Sequence, residues 1–297
     1  MDKKNFDEIL KQNVINATGV DLFGYGINDR NYPNYYSACA FADFINQMTN
    51  HYPEHYKSYS EGEGNELIPK KGRYGLLPPK MASVASSSRF CYLALRNGAV
   101  ALGGSGDVEF EHACHISEIK GGTPPQMDAY IKNENIFVEA KCHEIFDSHK
   151  VILKSKYFDL LFGQDNDFGF ASRQKSDDRC FEISLLEFGI DKKTTRFDIK
   201  QLICHLLGIK SHNSQKEPAT LVYLFFKPKA STESQQKEID EVFDDLTNEI
   251  KTIFGSESSP IKKFAEKNKI TLKAVAQYAE IMSPLIIENT IRLYPNI

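Results

Sequence analysis

Two short alternations of charged and apolar residues between positions 126 and 142 constrain this chain more than anything else in it. Along 126–132, Asp128, Tyr130 and Lys132 fall on one face and Met127, Ala129 and Ile131 on the other. Along 136–142, Phe137, Glu139 and Lys141 oppose Ile136, Val138 and Ala140. That two-residue period is the mark of a strand. Asn133-Glu134-Asn135 between the runs reads as the polar turn of a hairpin. If the two polar faces coincide, two carboxylates and one ammonium meet in a segment apolar enough to be buried, where unpaired charge is costly. A divalent cation would resolve the conflict. Carboxylate oxygens suit Mg²⁺, which keeps several waters and bridges to phosphate. A neighbouring lysine can orient or deprotonate a water at such an ion, whose Lewis acidity serves in-line displacement at phosphorus.

The rest of the chain predicts helices and strands in mixed order. Helices are expected near 4–13 and 37–48, separated by a turn at Asn31-Tyr32-Pro33-Asn34, with a loop at 59–65 as a boundary. Apolar residues at Met81, Val84, Ala85, Cys91, Tyr92 and Leu95 predict a helix over 80–97, stopped by Gly98. A strand over 108–116 follows the loop Gly103-Gly104-Ser105-Gly106, and a second turn follows at 121–125. After the hairpin come a helix near 153–162 and an irregular stretch to about 195. Asp198 is placed to cap a helix bearing Ile199, Leu202, Ile203 and Leu206, with Gly208 as its stop. The run 220–226 reads as a buried strand. Ile239, Val242, Phe243, Leu246, Ile250 and Ile253 mark a long amphipathic helix, and helices are expected at 261–268 and 271–282. Such an order implies an α/β or α+β fold with a mixed sheet.

Asp128, ten intervening residues and then Glu139-Ala140-Lys141 resemble the signature of the PD-(D/E)XK nuclease superfamily. The resemblance covers roughly 67–229, and Met127 stands where the name-giving proline would be. It implies a restriction-endonuclease-like mixed central sheet flanked by helices. The implied organisation is an N-terminal extension over 1–66, a nuclease core over 67–230 and a C-terminal helical region over 231–297. It also implies Asp128 and Glu139 as metal ligands and Lys141 as the water-activating residue. Glu111 is the choice for an additional upstream acid, with Glu109 in reserve. One or two Mg²⁺ ions are implied, Mn²⁺ being able to substitute, with double-stranded DNA as substrate and a homodimer as the cutting species. Gln201 and His205, on one face of the helix capped by Asp198, resemble the Gln-x-x-x-Tyr support found after the motif in some relatives.

An acid two before a lysine is common, occurring also at Asp2/Lys4, Glu118/Lys120, Asp191/Lys193, Asp198/Lys200 and Glu249/Lys251. Only Glu139/Lys141 has apolar strand residues on both flanks and an Asp-bearing strand before it. Glu118/Lys120 runs straight into Gly121-Gly122, which belongs to a turn.

With 36 basic against 40 acidic side chains, the chain is not a uniformly basic nucleic-acid binder. A basic face is still written into it. Residues 67–106 hold no acid, but carry Lys70, Lys71, Arg73, Lys80, Arg89 and Arg96, with hydroxyls at Ser86-Ser87-Ser88. That pattern predicts a phosphate-facing surface. The six cysteines lie singly, and the spacing of His112, His115 and His143 with Cys114 and Cys142 is poor for zinc. The glycine loop lacks the Lys-Ser/Thr ending of a P-loop. No apolar run approaches the ~20 residues of a membrane helix, so no membrane partner and a cytoplasmic location are expected. The expectation is a Mg²⁺-dependent restriction-type DNA endonuclease. Its alternatives are a repair or defence nuclease without strict site specificity and a non-catalytic DNA-binding module on the same fold.

Overall fold

The structure, a computed structural model, describes residues 1–62, 66–73, 75–98, 102, 106–121, 123–163, 167–170, 174–175, 179–213, 217–279 and 292–293. Most of the glycine loop (103–105) lies outside them. The chain opens with α1 (Lys3–Thr18), capped by the Asp2 carboxylate on Asn5 N at 2.8 Å. A hairpin of β1 (Phe23–Ile27) and β2 (Arg30–Tyr36) follows, then α2 (Ala38–His51) and α3 (Pro53–Glu61). The predicted turn at 31–34 is corrected: those residues are strand, and the chain reverses at Asn28 and Asp29, both at positive φ. Two consecutive left-handed residues are what a two-residue hairpin turn demands, and Asn and Asp tolerate them. Pro33 is accepted because this ladder has only two strands. The loop expected at 59–65 begins later than predicted, and its residues 63–65 lie outside the described ones. α3 runs to Glu61 and buries Tyr59, whose hydroxyl donates to Ser88 O.

A small hairpin of β3 (Lys70–Gly72) and β4 (Gly75–Leu77) leads to α4 (Ser87–Leu95), capped by Ser86 Oγ. The predicted helix 80–97 is therefore shorter. Residues 80–82 make only a single tight turn, and the segment after it is held by the buried Arg89 side chain. Next come β5 (Val108–Ala113), β6 (Gln126–Ile131), β7 (Ile136–Lys141), β8 (Val151–Lys154), α5 (Phe158–Phe162), β9 (Gln174–Lys175) and β10 (Cys180–Ile183). The expected 153–162 helix is thus α-helical only from Phe158, residues 153 and 154 belonging to β8, and the stretch to 195, read as irregular, contains β10 paired with β8. The chain closes with α6 (Ile199–His212), β11 (Ala219–Pro228), α7 (Glu233–Gly255), α8 (Pro260–Lys267), β12 (Ile270–Ala279) and the two-residue β13 (Arg292–Leu293). Gly208 sits inside α6 rather than ending it.

The central sheet is mixed, in the order β13-β12-β11-β7-β6-β5. β12, β11 and β7 are parallel, whereas β6 and β5 run antiparallel to their neighbours. β12 overturns the helix expected over 271–282 as far as Ala279, residues 280–282 lying outside the described ones, and adds a strand to the C-terminal region expected to be helical. Ile270, Leu272 and Ala274 contribute to one core and Val275 to the other, a two-residue period that parallel pairing to β11 exploits.

β11 shows how the sheet divides the interior. Leu221, Tyr223 and Phe225 enter a core built with α6, α7 and α8. Val222, Leu224 and Phe226 enter a second core built with α1, α2 and α4. Both faces of a parallel strand are covered, which explains its near-continuous apolar sequence. Side chains of α1, β2, α2 and α3 are therefore part of this second core. Among the described residues no helix is long and apolar enough to cross a membrane.

Candidate active site

β6 and β7 pair from Ile131↔Ile136 to Ala129↔Val138, and there the ladder stops. Asp128 and Glu139 come next, at the point where the strands part. The Ala140 N–H donates instead to Asp128 Oδ2 at 2.7 Å, so a side chain replaces the missing backbone acceptor. Across β5, Glu111 lies between the pairs Phe110↔Ala129 and His112↔Met127, opposite Asp128. Its φ of 56° is left-handed, a conformation that costs of order 1–3 kcal/mol for a residue with a Cβ and clusters at functional sites. Gly62 makes room for it: a Cβ there would stand 3.0 Å from Glu111 Cβ and 2.9 Å from Ser58 O.

These acids line one cleft of about 470 Å³, walled also by Ser86, Ser87, Ser88, Lys80, Gln126, Gln201 and His143. Lys141 donates to Glu139 Oε1 at 2.6 Å, and Gln201 Nε2 donates to the same oxygen at 2.8 Å. His205 is buried behind them, 3.6 Å from Glu139 Oε2, with Nδ1 3.1 Å from the Tyr223 hydroxyl. The sequence-predicted Asp128, Glu139, Lys141, Glu111, Gln201 and His205 are thus brought together. Glu109 is not: its carboxylate bonds His112 Nδ1 at 2.9 Å.

The electrostatics are those of crowded acids. Burial, then the charges of Glu139 and Glu111, push the Asp128 carboxyl well above the usual carboxylate range, against a smaller opposing pull from Lys141. Burial likewise raises Glu111 to about 7, helped by Glu66 and Glu139 and opposed by Lys80. Burial alone would lower Lys141, but Glu139, Glu144 and Asp128 outweigh it and hold the ammonium protonated. Burial lowers His205, keeping the imidazole neutral beside Glu139. Three oxygen donors with surplus negative charge match the preferences of a hard divalent cation. Among the described residues, no three His, Cys, Asp or Glu side chains already converge on a point that an ion could occupy. Glu139 Oε1 is engaged by Lys141 and Gln201, and Asp128 Oδ2 by Ala140.

The basic stretch divides, and most of it is not at the cleft. Arg89 is corrected outright: it is fully buried, donating to Met81 O and to Val84 O, with its guanidinium 4.7 Å from the Tyr36 ring centroid. A phosphate cannot reach it. Lys80 lines the cleft, but is paired with the buried Glu66 at 2.6 Å. Arg96 lies over Tyr92 at a separate pocket with Tyr52 and His51. Lys70, Lys71 and Arg73 are exposed on the β3–β4 hairpin and its turn. Sequence reasoning missed Glu66 and Glu144, and weighed His143 only as a zinc ligand. The first lies at an assumed domain boundary, and the other two follow the motif strand without any periodic signal.

No family model, no curated protein and no solved structure matches this chain.

Proposed function

We propose that the chain is a divalent-metal-dependent endodeoxyribonuclease of restriction type, on a restriction-endonuclease-like core, acting on double-stranded DNA. One observation carries the reading: Asp128 and Glu139 flank the parting of two strands in a cleft, with Lys141 held against Glu139. Such surplus of acid is costly for folding and gains a purpose if the cleft handles a cation and an anionic backbone. Asp128, Glu139 and Glu111 are the residues that would hold one or two Mg²⁺ ions, or Mn²⁺ in their place, and the ion when bound supplies Lewis-acid polarisation of the scissile phosphate.

The chain's own groups do the rest. Lys141, kept as an ammonium by the surrounding carboxylates, is a donor: it holds the attacking water by a lone pair and offsets charge growing on the phosphate. Gln201 fixes Glu139 from the helix side, and neutral His205 with Tyr223 backs that carboxylate without adding charge. Ser86, Ser87 and Ser88, which line the same cleft, offer hydroxyls suited to neighbouring phosphates. Lys70, Lys71 and Arg73 on their exposed hairpin are further phosphate contacts in this reading. Cutting both strands of a duplex then calls for two copies of the chain.

The test is cleavage of supercoiled plasmid with Mg²⁺ by the parent and by Asp128→Ala, Glu139→Ala and Lys141→Ala. The parent should nick and linearise the plasmid, and each folded variant should lose most of that activity. Parent-like cutting by all three would refute the assignment. A second reading, a non-catalytic DNA-binding module, draws on the closed Lys141–Glu139 pair at 2.6 Å. It requires that DNA be retained in EDTA and never nicked when Mg²⁺ is added. Sequencing the cut ends separates a site-specific enzyme from a repair or defence nuclease.

A further inference from the structure

The cleft contains a histidine that the nuclease reading leaves without a task. His143 lies two residues beyond Lys141 and lines the same cleft as Asp128 and Glu139. Its Nδ1 stands 3.1 Å from Asp7 Oδ1, and Asp7 belongs to α1, 136 residues upstream. The Asp7 carboxylate is buried, and its second oxygen accepts from Asn34 Nδ2 at 3.1 Å. An aspartate buried to this degree and committed to one imidazole fixes the ring's tautomer and orientation.

The docking of α1 is built to hold that pair. Lys3, Phe6 and Asp7 share one face of the helix at i, i+3 and i+4. They meet Asp147, Phe146 and His143 in turn: Lys3 Nζ lies 2.6 Å from Asp147 Oδ2, and the Phe6 and Phe146 rings are 4.9 Å apart. Phe6 is fully buried, so the helix cannot shift without opening the core. With Nδ1 engaged by Asp7, chemistry toward the cleft falls to Nε2.

We propose that His143 is the acid that protonates the leaving oxygen during phosphodiester cleavage, with Asp7 as its positioning residue. The proposal rests on the nuclease reading above. In the step, a lone pair of the attacking water forms the new bond to phosphorus while that water surrenders its proton to solvent. The bond from phosphorus to the leaving oxygen breaks, and its electron pair stays on that oxygen. The proton on Nε2 passes to it, which converts imidazolium to neutral imidazole with the Nδ1 proton still donated to Asp7. Solvent then reprotonates Nε2. A well-placed general acid contributes about 10²–10⁴-fold.

Replacing the leaving oxygen by sulfur tests this, because a thiolate departs near neutral pH without a proton. The full chain would cut a duplex at a site mapped beforehand, its scissile linkage carrying either the ordinary bridging oxygen or a bridging sulfur. On the oxygen substrate His143→Ala should be about 100-fold slower than the parent or worse, and Asp7→Asn should be slowed less. On the sulfur substrate both variants should match the parent, whereas Lys141→Ala should stay slow on both. His143→Gln, which keeps a hydrogen-bonding side chain, serves if His143→Ala does not fold. An equal deficit on both substrates, or none on either, would overturn the proposal and leave the nuclease reading standing. A parent silent on both substrates would remove that reading, and the acid role of His143 with it.

Discussion

Glu111 offers the sharpest test of the electrostatics. It stands at left-handed φ opposite Asp128, half-buried, with Glu66 and Glu139 facing it and Lys80 in opposition. Its carboxyl is raised from an ordinary 4.5 to about 7. A folded pKa above the unfolded one means the fold prefers the protonated group. Stability from this site is therefore fully present below pH 4.5 and is lost as pH rises to about 7. At about 1.4 kcal/mol per tenfold change, the loss amounts to roughly 3 kcal/mol above pH 7. Glu111→Gln removes the ionisation and keeps the shape. In EDTA at pH 8 the variant should be more stable than the parent by on the order of 1–3 kcal/mol, and at pH 4.5 the two should agree. For a chain of this size that is a rise of a few degrees in melting temperature. Denaturant unfolding at both pH values, with Mg²⁺ and without, measures it. Added Mg²⁺ should raise the parent's stability and the variant's much less, while cleavage falls in the variant. A Glu111→Gln protein no more stable than the parent at pH 8 would refute the reasoning about crowded acids.

Other substitutions separate structure from function. Gly208→Ala puts a Cβ 2.8 Å from Cys114 Cβ and 3.0 Å from Cys114 O, so overpacking of about 1–3 kcal/mol should exceed the gain in helix propensity, read as a lower denaturation midpoint. Arg89→Met should cost about 2 kcal/mol or more by leaving the Met81 and Val84 carbonyls unsatisfied, with plasmid cleavage per folded molecule unchanged. Lys70→Ala with Lys71→Ala should behave oppositely, leaving the melting temperature in place and flattening the salt dependence of DNA binding. Gln201→Ala should lower cleavage about 10- to 100-fold by freeing Glu139, with little change in melting temperature.

The site was legible where its geometry is local. A two-residue period carries Asp128 and Glu139-Ala140-Lys141 onto neighbouring strands, and a cap at Asp198 orients α6 so that Gln201 reaches Glu139. Hidden were the features fixed by distant contacts. Arg89 reads as a surface cation until Met81, Val84 and Tyr36 close around it. Gly208 reads as a helix stop until Cys114 is seen packed against its Cα. The segment 271–279 has a short apolar pattern that fits helix or strand, and pairing to β11 decides it. Asp7 and His143 lie 136 residues apart, and neither carries a motif.

In the proposed function, the carboxylates crowd into one cleft to hold a divalent cation. Calorimetric titration of Mg²⁺ and Mn²⁺ into the parent, Asp128→Ala and Glu139→Ala measures this directly. Saturable binding by the parent, weakened or lost in both variants, is the predicted result. Identical titration curves for all three proteins would contradict it.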